Sequence, residues 1–142
     1  MARVMVDMSC TLLHHGHVRL LQKAAQYGDV IVALTTDEEI FSKKGYWPEL
    51  SYEQRAEIIA SVRYVQEVVA SKWLLTNDFL RTNAIDILVH GDDNSNLIDC
   101  CEVKIFTRTK DISSSDIRRL SFEIYAGTKL EKGVGKEGKF DS

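Results

Sequence analysis

The sequence predicts an α/β fold, a five-stranded parallel sheet between two layers of helices. Short apolar runs without polar alternation, of which Val30-Ile31-Val32-Ala33-Leu34 is the clearest, suit parallel strands covered on both faces. Between these runs lie stretches whose apolar residues recur at helical spacing. The 142 residues, 44% hydrophobic and 27% charged, are enough for one soluble domain with a proper core and too few for two comfortable ones.

Arg3 to Asp7, with its apolar centre at Val4 to Val6, reads as the first strand. A helix then begins near His15, where Val18, Leu20, Leu21, Ala24 and Ala25 form one stripe and Gly28-Asp29 marks the stop expected just past a helix carboxyl end. The second strand, Val30 to Leu34, runs into Thr35-Thr36-Asp37. Glu38 to Phe41 makes a short helical turn, and Ser42-Lys43-Lys44-Gly45-Tyr46-Trp47-Pro48-Glu49 reads as a loop holding the chain's single proline. Ser51-Tyr52-Glu53-Gln54 has the layout of a capping box, a helix start in which Ser51 and Gln54 bond reciprocally to the backbone. Ala56, Ile58, Ile59 and Val62 supply the stripe of the helix that follows, to about Val62.

Val65 to Val69 is the third strand, Leu74 to Asn83 a helix, Ile85 to His90 the fourth strand and Glu102 to Phe106 the fifth. Thr107 to Ser115 is a polar loop, and Asp116 to Tyr125 a last amphipathic helix with Ile117, Leu120 and Ile124 on one side. Residues 1–126 are thus expected to form the domain and 127–142 a flexible Lys/Gly-rich tail. Right-handed crossovers joining such strands give a Rossmann-like three-layer α/β/α arrangement. Its loops after strands one, four and five should converge on one crevice at the carboxyl edge, where open α/β sheets bind ligands.

A formal net charge of −3 gives no general attraction to nucleic acid or to an anionic membrane surface, so neither is an expected partner. No apolar run approaches a membrane span, and Met1-Ala2-Arg3 enters a strand rather than a signal peptide, so a cytoplasmic location is expected. Cys10, Cys100 and Cys101 are odd in number and lack Cys-x-x-Cys spacing, which favours reduced thiols over a disulfide framework or zinc site. Cys10 reads as a small half-buried residue rather than a nucleophile.

The chemistry concentrates in His14-His15-Gly16-His17, at the junction of the first strand and first helix. His14 and His17, three apart across a helix start, can share the space above the first turn, and Gly16 lets a ligand approach the backbone closely. Backbone N–H groups at a helix start attract phosphate, and two imidazoles add directed donors. The stretch looks built for a polyphosphate.

These residues match the His-x-Gly-His signature of the nucleotidyltransferase superfamily. Arg108-Thr109-Lys110-Asp111-Ile112-Ser113-Ser114-Ser115 looks like its second signature, an Ile-Ser-Ser/Thr-Thr stretch, and Tyr52-Glu53-Gln54-Arg55 and Arg63-Tyr64-Val65 resemble segments of the bacterial glycerol-3-phosphate cytidylyltransferases. The likeness runs in order over roughly Val4 to Arg118. It implies transfer of CMP from CTP to a small phosphorylated alcohol, glycerol 3-phosphate first, with release of pyrophosphate. Phosphonate or amino-alcohol phosphate acceptors, an adenylyl-transferring relative and a weakened nucleotide-binding module stay open as alternatives.

The resemblance also implies roles. His14, His17, Lys43, Lys44 and Arg63 would serve catalysis. Ser9, Cys10, Gly16, Gly91, Asp92, Arg108, Thr109, Ile112, Ser113 and Ser114 would hold CTP, and Thr11, Asp37, Lys43 and Trp73 the acceptor. Mg2+ would be carried on the nucleotide phosphates, with no side-chain ligand assigned. A homodimer is implied through Arg63-Tyr64-Val65. Arg55 is expected to be structural and His90 to be packed or hydrogen-bonded; Asp92 and Asp93 resemble the family's Gly-Asp-Asp. The chain departs from the family ahead of His14, where Met8-Ser9-Cys10-Thr11 stands in place of Gly-x-Phe-Asp.

Overall fold

The computed structural model describes residues 1–91, 97–107, 109–110 and 112–127. These fall into two units, Met1–Lys110 and Asp111–Ser142. The first holds β1 (Arg3–Met8), α1 (His15–Ala25), β2 (Asp29–Thr35), α2 (Asp37–Lys44), α3 (Tyr52–Ala60), β3 (Val65–Ser71), α4 (Asn77–Thr82), β4 (Ile87–Gly91) and β5 (Glu102–Phe106). The second holds α5 (Ser114–Tyr125). Most of the expected tail, 128–142, lies outside the described residues, as do Asp92, Asp93, Arg108 and Asp111.

The five strands form one sheet in the order β3-β2-β1-β4-β5, every pairing parallel, as the expected Rossmann-like layering requires. Alternating side chains divide the core. On one face Val4, Val6, Val32, Leu34 and Val89 pack with Leu21 and Ala24 of α1 and Ile59 of α3. On the other, Met5, Ile31, Ala33 and Leu88 pack with Leu80 of α4 and with Leu75 and Ile85. β2 is buried almost throughout, which explains its lack of polar alternation.

The chain leaves β1 toward β2 and β3 on one side, while β4 and β5 lie on the other. The gap between the carboxyl ends of β1 and β4 is therefore the topological switch point of the sheet.

Local chemistry moves several element boundaries. Lys43 and Lys44 were expected in a loop, but they form the last turn of α2. Thr36 caps that helix by accepting from the Glu39 N–H, Asp37, Glu38 and Glu39 fill its first turn, and Gly45 closes it in the left-handed conformation at φ 83°. The helix expected over Leu74 to Asn83 is confined to Asn77–Thr82 because Thr76 caps it, Oγ1 accepting from the Phe79 N–H at 3.1 Å. β4 starts at Ile87 rather than Ile85: Ala84 turns at φ 56°, and Asp86 ties to Arg3 through backbone and side chain. The last helix begins two residues earlier than expected, capped by Ser113 Oγ accepting from the Asp116 N–H at 3.0 Å.

Gly28 also has a different role. α1 ends at a Gln26 cap in ordinary helical conformation, whereas a Cβ on Gly28 would lie 2.1 Å from the carbonyl oxygen of Ala2. Close approach to the start of β1, not helix termination, requires the glycine there.

Candidate functional site

β1 ends at Met8, and residues 9–14 carry the chain over the carboxyl edge into α1. At the start of α1 the two signature histidines cap the helix backbone with their side chains. His14 Nδ1 accepts from the Gly16 N–H at 3.0 Å, His17 Nδ1 accepts from the His14 N–H at 3.1 Å, and the two sets of bonds complete a capping box. The rings sit 3.9 Å apart between centroids, tilted by 34°. An imidazole whose Nδ1 accepts keeps its proton, when neutral, on Nε2. The pair thus carries two N–H donors side by side at a helix amino end, where the backbone dipole also favours an anion.

The approach to the histidines is anchored from below by Arg55, the largest side chain in the fully buried set. Its Nη1 donates to the carbonyl oxygens of Ser9 at 2.7 Å and Thr35 at 3.0 Å, and its Nε to that of Leu50 at 3.2 Å. Its Nη2 meets Asp37 Oδ1 at 2.6 Å, while Asp37 Oδ2 accepts from the Tyr52 N–H at 3.0 Å. One guanidinium therefore joins the loop after β1, the end of β2 and the starts of α2 and α3. The structural reading of Arg55 holds. The carboxylate of Asp37, expected at the acceptor, is engaged in this tie.

Thr11 and Cys10 lie in the interior under the loop, 3% exposed each, with Cys10 at φ 42°. Burial pushes the Cys10 thiol from 9.0 up to about 12, against the opposing charge of Arg55. Cys10 is more deeply buried than expected, and such a thiol is a poor nucleophile.

A second group forms over the carboxyl ends of β2 and β3. Lys44 Nζ stands 5.6 Å above the Trp73 ring, and the backbone N–H of Trp73 donates to Glu39 Oε1 at 2.8 Å. Phe41 and Trp47 stack 4.6 Å apart beside Lys43 and Lys44 on the outer surface of α2 and its following loop. α2 and the end of β3 thus bring Lys44 and Trp73 together, with Lys43 the preceding residue in the last turn of α2.

Arg63 lies elsewhere. It immediately precedes β3, so it stands at the amino edge of the sheet, a strand length of roughly 20 Å from the carboxyl edge that carries His14. There it covers the Tyr64 ring and donates to Tyr64 Oη at 3.0 Å. Gly91 ends β4 and Thr109 follows β5 in the first unit, whereas Ile112, Ser113 and Ser114 belong to the second.

The expectation for His90 is met by a partner with no local sequence signature: His90 Nδ1 and Asp7 Oδ1 are hydrogen-bonded between the ends of β4 and β1. Among the described residues no three His, Cys, Asp or Glu side chains converge as a metal site. The donors at the helix start, two imidazoles engaged in capping, are also not the oxygen set that magnesium favours, so these residues do not form a magnesium cage.

The sheet order and the histidine pair define an α/β protein with a phosphate-suited helix start beside its switch point. The chain belongs to the cytidylyltransferase-like family, whose model matches residues 11–120. It is 39% identical over 127 residues to a glycerol-3-phosphate cytidylyltransferase of Staphylococcus aureus, spanning 84% of this chain and 94% of that one. A glycerol-3-phosphate cytidylyltransferase of Bacillus subtilis is 39% identical over 83% of this chain and 95% of its own. An ethanolamine-phosphate cytidylyltransferase of Arabidopsis thaliana is 31% identical over 81% of this chain and 31% of its own length. Among solved structures, the lipopolysaccharide core biosynthesis protein of Thermoplasma volcanium matches with a TM-score of 0.60 at 22% identity, over 79% of this chain and 99% of that one, a likeness of fold. No helix among the described residues is long and apolar enough to cross a membrane.

Proposed function

We propose that the protein transfers CMP from CTP to a small phosphorylated alcohol, releasing pyrophosphate, with glycerol 3-phosphate the first acceptor to test. The observation that carries this reading is the His14–His17 pair, two neighbouring N–H donors at the amino end of α1, in a chain of this family. An acceptor phosphate is already ionised, so one of its oxygens attacks the α-phosphorus without a general base. Charge then moves onto the bridging oxygen of departing pyrophosphate. The protein's contribution is alignment and stabilisation of that charge.

In this reading the histidine Nε2–H groups face the phosphates, and Lys43 and Lys44 neutralise charge on triphosphate and acceptor. Trp73 borders the acceptor; Thr11, buried under the loop, and Asp37, through Arg55, support that side from the interior. Ser9, Cys10 and Gly16 are assigned to the phosphates through their backbone, Gly91, Asp92, Arg108 and Thr109 to the nucleoside, and Ile112, Ser113 and Ser114 to the triphosphate. Magnesium brought in with the nucleotide would supply charge neutralisation on the triphosphate, with no side chain assigned to hold it. The amino-edge position of Arg63 supports assigning the Arg63-Tyr64-Val65 segment to a homodimer contact, which light scattering in solution would test.

The experiment is pyrophosphate release from CTP and Mg2+ with glycerol 3-phosphate, ethanolamine phosphate and 2-aminoethylphosphonate, repeated with ATP. Release dependent on CTP and one acceptor is expected. Turnover with ATP alone would transfer the assignment to adenylyl chemistry, and CTP binding without release from any acceptor would favour a weakened nucleotide-binding module. That second reading has its own observation: Thr11, buried and uncharged, occupies the place of the family's carboxylate.

A further inference from the structure

We propose that His90, oriented by Asp7, hydrogen-bonds a ribose hydroxyl of the bound nucleotide and so makes the protein selective for ribonucleotides; the assignment rests on the CTP reading above. The register between β1 and β4 pairs Val4 with Ile87, Met5 with Leu88 and Val6 with Val89, so Asp7 and His90 are the next neighbours across the seam. Both follow Met5 and Leu88 onto the same face by strand alternation, at the carboxyl edge, at the switch point.

Below them that face is apolar, with Met5, Ile31, Ala33, Leu88, Val69 and Val103, and at the same carboxyl edge it carries the buried but uncharged Thr35 and Ser71. An imidazole and a carboxylate that are 13% and 12% exposed lose most of their hydration there, and apolar side chains would fill the space at lower cost. The pair therefore needs a reason beyond packing. Asp7 supplies orientation: its carboxylate engages His90 Nδ1, which fixes the ring and leaves Nε2 as the imidazole's second hydrogen-bonding atom.

The position selects which part of the ligand this atom meets. Phosphates at the α1 start lie above β1, and neighbouring strands are about 4.8 Å apart, so the end of β4 is one strand from the reacting phosphorus. The acceptor-side group of Lys44 and Trp73 occupies the opposite flank, over β2 and β3. The ribose, one ester linkage from the α-phosphate and on the side away from the acceptor, is the substrate portion that falls over β4. Its 2′- and 3′-hydroxyls are the partners an imidazole nitrogen can read, and a site built to bond a hydroxyl rejects the analogue lacking it.

The test is calorimetric binding of CTP, 2′-deoxy-CTP and 3′-deoxy-CTP to the wild-type chain and to His90→Ala, His90→Gln and Asp7→Asn, with circular dichroism as the folding control. The wild type should bind CTP at least tenfold more tightly than one of the deoxynucleotides. His90→Ala should bring that ratio within about twofold, His90→Gln should restore part of it, and Asp7→Asn should fall between. The nitrogen NMR shift of His90 Nε2 should change with CTP and not with the deoxynucleotide that is discriminated. Equal binding of all three nucleotides by the wild type, or undiminished discrimination in folded His90→Ala, would overturn the assignment. No binding of CTP by the wild type would instead overturn the nucleotide reading itself, and this inference with it.

Discussion

Arg55 and Asp37 form an ion pair of 2.6 Å in which the guanidinium is 1% exposed and the carboxylate 23%. Through the same guanidinium the carbonyls of Ser9, Thr35 and Leu50 are held, so the pair fixes the loop that leads into His14. Removing the guanidinium strips Asp37 of its charge partner, leaving it the Tyr52 N–H, and takes the buried donor away from the Ser9, Thr35 and Leu50 carbonyls. Arg55→Ala should lower stability by about 3–5 kcal/mol in denaturant unfolding. Arg55→Lys keeps the charge but not the fork that reaches three carbonyls, and should fall between. An unfolding midpoint unchanged in Arg55→Ala would show that the tie is incidental.

His14 and His17 have a structural task as well as the proposed chemical one, since they form the capping box of α1. The tasks separate by substitution. His14→Ala should lose about 1 kcal/mol of stability and turnover by orders of magnitude, whereas His14→Asn restores a good cap and should recover the stability alone. Asparagine restoring full turnover would assign His14 to capping only.

Much of this was legible in the sequence, and the limits have physical causes. Apolar runs fixed the strands because parallel strands covered on both faces have no polar alternation, as in β2. Ser51 and Gln54 were readable because a capping box is made by residues three apart. The lysine pair misled, since Ser42-Lys43-Lys44 is as polar as a loop and only the Thr36 cap and the left-handed Gly45 reveal a helix between them. Asp7 and His90 are 83 positions apart, and Arg55 and Ser9 are 46; strand register and tertiary packing bring them together, and neither leaves a local pattern.

Cys10 gives a pH dependence of known sign. Its thiol is raised from 9.0 to about 12 in the folded chain, so between these values the unfolded chain has lost a proton that the folded chain keeps. The unfolded state then binds fewer protons, and stability is fully present below pH 9 and declines as pH rises toward 12. Cys10→Ala should flatten that part of the stability–pH curve. At pH 8 native Cys10 should resist iodoacetamide and react once the chain is unfolded; rapid native labelling would contradict its burial.

Gly28 and Gly45 should respond differently to alanine. At Gly45 nothing lies within 4 Å of an added Cβ, so only the left-handed φ of 83° resists and Gly45→Ala should cost about 1 kcal/mol. At Gly28 the added atom would lie 2.1 Å from the Ala2 carbonyl oxygen, and β1 or the turn must shift. Gly28→Ala should be clearly the more destabilising in thermal unfolding.

The central claim is nucleotidyl transfer at the His14–His17 pair, and the most direct measurement is pyrophosphate release from CTP and Mg2+ with the acceptor panel, for wild type, His14→Asn and His17→Ala. The account predicts release by the wild type with at least one phosphorylated alcohol or phosphonate, and its loss by orders of magnitude in both variants while they remain folded. Undiminished release in both variants, or none from the wild type with any acceptor, would contradict it.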